Sequence, residues 1–328
     1  MAPTDAIVAV TWKCNCRCRS CNIWRIPGAE ARELAPGDYA RLPSTLRDIN
    51  ITGGEPFLRN DIEELILSVH QTCPRAHIIV STNGLLTRPI RQAVRRLMEK
   101  VPRFGVAVSI DGIGEMHDRM RGVAGAYENA QQTAYLLARD GLKDLRLAFT
   151  ASADNVSHLS RVYDLARELG VEFTCAVAHP SSHYFHTTEA GLTIPPGELR
   201  EQVEYVIARE LSGLSPKRWA RAFFLDAMAD FNARLGRPFP CRAGLDTMFL
   251  SPEGDLYPCN ALDARMGNIQ EGRFADVWRS PDAAAARARV ARCRNGCWMV
   301  CSARTVMKRH WPTVLLWCVR RKLRGGKR

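Results

Sequence analysis

Six apolar runs, each followed by a polar or amphipathic stretch, set what this chain can fold into. Residues 6–12 are rich in β-branched and apolar side chains and read as a buried strand. Similar short runs recur at 49–52, 77–82, 105–110, 145–151 and 171–178. Helices are expected at 61–72, 88–100, 127–140 and from Asn155 to Gly170. Asn60 with Glu63 three residues on resembles a capping box, and Gly141 follows the third helix as a stop signal. Strand and helix alternating six times demand a parallel sheet with right-handed crossovers. Six units suit a partial or full β/α barrel, and no further strand of that kind is clear after 178. In such barrels the chemistry sits at the C-terminal ends of the strands.

Four of the twelve cysteines fall in eight residues, Cys14 to Cys21, directly after the first strand. No basic segment with an apolar run and cleavage site opens the chain, so no signal peptide is expected. No run of 18 apolar residues is present to span a membrane. Twelve cysteines in such a chain argue for metal binding in a reducing cytoplasm, not for a disulfide framework. Thiolates are soft ligands that suit iron–sulfur clusters and zinc. Cys14, Cys18 and Cys21 on one loop can hold three irons of a [4Fe–4S] cube and leave the fourth open to a small molecule. Structural zinc would want four closed ligands. Cys16 is expected to point away from an extended loop as a spare thiol.

The Cys-x-x-x-Cys-x-x-Cys spacing of Cys14, Cys18 and Cys21 resembles the radical S-adenosylmethionine (radical SAM) superfamily. The resemblance implies an open (β/α)6 TIM-like barrel, a catalytic [4Fe–4S] cluster, and SAM chelated to the open iron. It also implies a 5′-deoxyadenosyl radical that takes hydrogen from a substrate. The position before the third cysteine, usually aromatic in the family, is Ser20, and Trp24 is the candidate replacement. Gly53-Gly54-Glu55-Pro56 matches the family's glycine-rich motif, whose exposed backbone would meet the SAM amino group. Asn83 and Ser109 sit where family members contact ribose and carboxylate, and Arg121 resembles an arginine near the SAM carboxylate. Asp111 and Asn83 also suit turn roles, and Asn155 suits a helix cap. His179, His183 and His186, after the sixth strand, could bind substrate or move a proton; their spacing is also that of one helix face.

The chain divides into a barrel over 1–186, a helical linker over 187–240 with helices near 197–212 and 216–235, a cysteine-rich α+β unit over 241–305 and a basic tail over 306–328. Residues 248–259 read as a hairpin around Pro-Glu-Gly-Asp. With Gly267-Asn268 and Phe274 to Trp278 they resemble the SPASM/Twitch extension, which carries auxiliary clusters. Cys241, Cys259, Cys297 and Cys301 are its expected ligands for a second [4Fe–4S] cluster, the last two on one helix face; Cys293 is the alternate, and zinc the competing metal. Asn260 stands where peptide-oxidising relatives have an aspartate base. Cys73 and Cys175 read as buried apolar residues.

The expected function is SAM cleavage with oxidation or epimerisation of a small molecule, sugar or lipid-linked group. A peptide maturase is the alternative, and a zinc- and nucleic-acid-binding module the alternative of another class. An electron donor such as flavodoxin or ferredoxin is implied, and nucleic acid is not the expected partner. Net charge is +12, and residues 308–328 hold eight Lys or Arg with no acid. Trp311, Trp317 and that basic run suit an anionic membrane surface on its inner face. The competing expectation packs Val314 to Val319 on the cysteine-rich unit.

Overall fold

The chain was analysed as a computed structural model, which describes residues 2–26, 33–187, 193–234, 236–294 and 297–325. Six strands, β1 (Asp5–Ala9), β2 (Asp48–Thr52), β3 (His77–Thr82), β4 (Phe104–Ser109), β5 (Asp144–Ala151) and β6 (Glu172–Val177), run parallel in that order. β1 is buried at every residue, as a strand covered on both faces must be. β5 alternates instead: Leu145, Leu147, Phe149 and Ala151 are buried, while Asp144, Arg146, Ala148 and Thr150 keep partial access. Helices α1 (Ile62–Thr72), α2 (Thr87–Lys100), α3 (Glu115–Arg121), α4 (Ala126–Arg139) and α5 (Leu159–Glu168) form the crossovers. α6 (Pro196–Leu211) packs on α5, and α7 (Pro216–Asn232) packs on α6 and β6.

The hairpin of the cysteine-rich region joins this sheet. Its first strand, β7 (Thr247–Leu250), pairs parallel with β1, with Asp5 opposite Thr247 and Val8 opposite Leu250. β8 (Asp255–Tyr257) and β9 (Gly267–Asn268) follow antiparallel. The sheet order is β6-β5-β4-β3-β2-β1-β7-β8-β9, so β6 and β9 form its two edges. The fold is thus a partial (β/α)6 barrel with a small C-terminal α+β unit grafted on its β1 edge. That unit continues through α8 (Phe274–Trp278), α9 (Pro281–Ala291), α10 (Val300–Arg309) and α11 (Trp311–Gly325).

Several expectations are corrected. Asp61, not Asn60, precedes α1, and Glu63 is paired with Arg96 at 2.6 Å, so no capping box forms. Asn155 stands at the N-cap of the 3-10 turn Val156–His158 that leads into α5, but its side chain makes no capping bond: its Oδ1 accepts the Ser152 N–H at 2.7 Å, and its Nδ2 donates to Asp111 O at 2.9 Å and Thr150 O at 3.0 Å. That lashes the ends of β4 and β5 together. Residues 179–186 form a turn closed by a bridge between Ser181 and Thr187, so the three histidines do not share a helix face. α10 begins at Val300, so Cys297 lies ahead of it. The tail packs chiefly on α7, with lesser contact to α6 and to α10 of the cysteine-rich unit; residues 326–328 lie outside the described residues.

At the N-terminal ends of the strands the sheet register sets Asp5 beside Asp48 and Asp48 beside His77. Arg304 of α10 donates to Asp5 at 3.1 Å and meets Asp48 at 3.3 Å; Lys308 meets Asp48 at 3.1 Å. His77 lies 3.5 Å from Asp48 and 2.5 Å from Asp144, which holds Arg146 at 2.6 Å. Hydrogen bonds to Asp144 and Asp48 raise the His77 pKa, while the hydrogen bond from His77 holds both carboxyls down against burial. A raised folded pKa means the imidazolium stabilises below about pH 6.5, and this is lost as pH rises through the folded value. The carboxylates stay ionised throughout that range. His77→Gln is therefore expected to lower the melting temperature more at pH 6 than at pH 9; an equal effect at both would refute the charge role.

Candidate active site

The cysteine loop is held by a backbone ladder that continues beyond the strands. Val10 N–H donates to Thr52 O at 2.9 Å, Gly54 to Thr11 O at 2.7 Å and Glu55 to Lys13 O at 2.8 Å, one residue before Cys14. A Cβ on Gly53 would stand 2.4 Å from Thr11 O, and one on Gly54 2.0 Å from Lys13 O. Gly53 also has φ +135°. The close approach that demands these glycines is thus to the chain's own cysteine loop. On the other flank, Arg17 and Arg19 donate to Arg121 O and Met120 O at 2.8 and 3.0 Å.

Glu55 is fully buried, and its carboxylate is spent inside the protein. It accepts the Thr82 hydroxyl at 2.8 Å, the Asn83 N–H at 2.7 Å and the Phe57 N–H at 3.2 Å. Burial pushes its pKa up to about 7 against those bonds. Asn83 in turn donates to Asn15 Oδ1 at 2.7 Å and accepts from Leu85 N–H at 3.0 Å. Glu55 and Asn83 therefore act by pinning the β3 turn to the cysteine loop. Ser109 is free to face inward and lines the cavity.

Arg121 is half-buried beside the loop. It pairs with Asp111 at 2.8 Å and points Nη1 at Cys18 Sγ, 3.7 Å away, and its Nε has no protein partner among the described residues. Cys16 is corrected: the loop curls instead of extending, with the Cys16 N–H 3.5 Å from Cys14 Sγ. Its thiol is buried between Cys14 and Cys18. Cys18 is lowered to about 6 by the Cys16 thiol and, against burial, by Arg121. Burial pushes Cys21 up to about 12.

These groups open on a cavity of about 350 Å³ inside the barrel mouth. Cys14, Cys18, Cys21, Trp24, Gly53 and Gly54 line one side. Cys301, Met299, Val300 and Asn260, from the C-terminal unit, line it as well. Trp24 donates to Cys21 O at 3.1 Å and lines the cavity. His183 stacks on Tyr257 and contacts Cys259 O at 3.2 Å, and His186 packs edge-on to Trp12. His179 differs. It lines the cavity, its Nδ1 contacts Val177 O at 3.4 Å, and its buried Nε2 has no partner among the described residues. The buried Oδ1 of Asn260 has none either. Sequence reasoning missed Tyr184, whose hydroxyl reaches Thr52 at 3.1 Å and Gly53 O at 3.4 Å.

The second cysteine group lies in one region, although no three donor side chains among the described residues are set to hold a single metal ion. Cys241, Cys293 and Cys297 lie close enough to the Arg237 guanidinium to raise its pKa, and Arg237 donates to Cys297 Sγ at 3.5 Å. Cys259 feels Cys241 and Cys301 electrostatically, and Cys301 feels Cys297. Cys293 thus stands with the four expected ligands. Desolvation pushes Cys259, Cys297 and Cys301 up to about 12.

The profile of the radical SAM superfamily matches residues 8–156, and that of the iron–sulfur cluster-binding domain SPASM matches residues 241–302. The chain belongs to the radical SAM superfamily and carries a SPASM domain; it is an enzyme. It is 26% identical over 309 residues to the AdoMet-dependent heme synthase of Oleidesulfovibrio alaskensis, covering 86% of this chain and 76% of that protein. It is 27% identical over 322 residues to the mycofactocin maturase MftC of Mycolicibacterium smegmatis, covering 89% and 78%. Among solved structures, Streptococcus suis SuiB bound to S-adenosylmethionine aligns with a TM-score of 0.66 at 17% identity, over 88% of this chain and 68% of that one. The family implies a catalytic [4Fe–4S] cluster, SAM and an auxiliary [4Fe–4S] cluster. The two cysteine groups fit them in donor chemistry and number.

Proposed function

We propose that this enzyme oxidises a small organic molecule, a sugar or a lipid-linked group held between the two cysteine groups. The observation that carries this is that Cys14, Cys18 and Cys21 share one cavity with Cys301. When bound, the cofactors supply a 5′-deoxyadenosyl radical that removes a hydrogen atom and, in the C-terminal unit, an acceptor for one electron. The metal ligands proposed are Cys14, Cys18 and Cys21, then Cys241, Cys259, Cys297 and Cys301, with Cys293 the alternate. For SAM, Gly53 and Gly54 supply shape, Ser109 and Arg121 polar contact, and Glu55 and Asn83 positioning. A flavodoxin or ferredoxin in the cytoplasm is the proposed electron source.

His179 completes the reading. Its Nδ1 contact with Val177 O leaves the lone pair on Nε2, and burial lowers the ring's pKa, favouring the neutral form. A neutral imidazole there can accept the proton that an oxidised carbon centre sheds, a role closed to the amide of Asn260. A peptide substrate is the second reading, supported by the 25% identity to the PqqA peptide cyclase of Granulibacter bethesdensis over 84% of the chain.

Reconstituted protein with dithionite and SAM is to be given a polar metabolite extract, a lipid extract or a synthetic peptide pool. The first or second is expected to raise 5′-deoxyadenosine above the substrate-free rate; stimulation by peptides alone sinks the small-molecule reading. With the stimulating fraction, His179→Ala is expected to cut turnover about 100-fold, within the range for general-base loss, and to leave substrate-free SAM cleavage unchanged.

A further inference from the structure

Helix α11 (Trp311–Gly325) has two unlike faces. One is docked: Val314 and Cys318 are fully buried, Trp317 meets Phe223 edge-on at 5.5 Å, and the Cys318 thiol donates to Trp219 O at 3.5 Å. Arg321 pairs with Glu204, and Lys322 donates to Gly213 O at 3.0 Å while lying over the Trp219 ring. The other face is open. Leu315, Leu316, Val319 and Leu323 are 37, 49, 42 and 70% exposed. At about 100° per residue these four make a single stripe roughly 100° wide. Leu214, 81% exposed beside the Gly213 that Lys322 holds, extends it. Four of the seven large apolar side chains exposed among the described residues belong to this one helix.

The tail's own charge has one sign, although Lys308, Arg309 and Arg321 are paired with Asp48, Asp246 and Glu204. Residues 308–328 contain eight Lys or Arg and no Asp or Glu, out of a whole-chain excess of +12. Arg320 is exposed on the flank of the stripe, and Arg324, Lys327 and Arg328 continue the sequence beyond it. An apolar stripe between cations is the pattern of a helix lying in a bilayer interface. No described helix is long and apolar enough to cross a membrane, so the helix would lie on the surface. A second copy of the chain is a poor occupant, because a two-fold contact would set two such cationic tails against each other.

We propose that α11 seats this enzyme on an anionic lipid bilayer, with Leu315, Leu316, Val319 and Leu323 entering the headgroup region and the tail cations meeting lipid phosphates. This surface is independent of the reaction proposed above. It would place the barrel where a lipid-linked substrate could be met at the membrane.

The test is co-sedimentation of the reconstituted full chain with vesicles of phosphatidylcholine alone or with one quarter phosphatidylglycerol. Binding is expected to the anionic vesicles only, and to fall at least tenfold between 50 and 500 mM salt, since surface attraction is screened. Leu316→Ser/Leu323→Ser, on the exposed face, should cut binding at least tenfold, and Arg320→Glu severalfold. Both should keep the parent's substrate-free SAM cleavage, which shows that they fold. Equal binding by parent and leucine variant, binding to neutral vesicles as strong as to anionic ones, or no binding at 50 mM salt would each overturn the proposal. So would sedimentation velocity showing a dimer that the leucine variant abolishes, because the stripe would then be an interface between copies.

Discussion

Changing Cys14, Cys18 and Cys21 together to alanine is expected to leave about four irons per chain in place of about eight, four per cube, and to abolish 5′-deoxyadenosine formation. The two cysteine groups share a cavity wall but no ligand. The first stands on the loop after β1, and the second on the C-terminal unit around Arg237 and α10. The ladder that positions the first loop also runs through backbone atoms, so it survives loss of the thiols. Residual iron in the triple variant then reports the auxiliary site alone. Stoichiometric zinc with no residual iron would remove the auxiliary cluster from the reading, and continued SAM cleavage would remove the catalytic one.

How much of this was legible in the sequence depended on the range of the signal. β3 was read at 77–82 and found at His77–Thr82, because a strand covered on both faces is a plain apolar run. The cysteine triad was legible because its spacing is local. Pairing of β7 with β1 was not, since it joins Asp5 to Thr247 and rests on register alone. The ionic floor was hidden for the same reason: Asp5 and Arg304 are 299 positions apart. Its one trace in the sequence is an acid or histidine opening five of the six barrel strands, Asp5, Asp48, His77, Asp144 and Glu172, the first four of which belong to the floor. Cys16 was misread because the sequence carries no sign of whether the loop extends or curls.

The role of Glu55 was misplaced in a more instructive way. A glycine-rich turn with an acid suggests groups offered to a ligand. The structure uses the carboxylate to gather Thr82, Asn83 and Phe57, leaving the ligand side to backbone and shape. Asn83 links its amide to Asn15 within the cysteine loop while also lining the cavity. The floor and the turns thus fix the cavity wall before any cofactor binds, which is what precise placement of a reactive group requires.

Gly54→Ala is expected to be nearly as damaging as loss of the cysteines. Its Cβ would fall 2.0 Å from Lys13 O, 2.6 Å from Lys13 C and 2.9 Å from Trp12 O. All three are backbone atoms, so no side chain can swing aside. Relief requires breaking the Gly54–Thr11 and Glu55–Lys13 hydrogen bonds or displacing Lys13, and Cys14 is the next residue. Overpacking of this kind costs about 1–3 kcal/mol in stability, and the displaced loop would lose its register with the three thiols. The expected result is iron near four per chain and little 5′-deoxyadenosine. Gly272→Ala, where nothing lies within 4 Å of the added Cβ, should be indistinguishable from the parent and serves as the control. Full iron with SAM cleavage lost would show instead that Gly54 is kept open for the ligand. Full iron with full cleavage would mean that the loop tolerates the shift, and the ladder would not be what positions the cysteines.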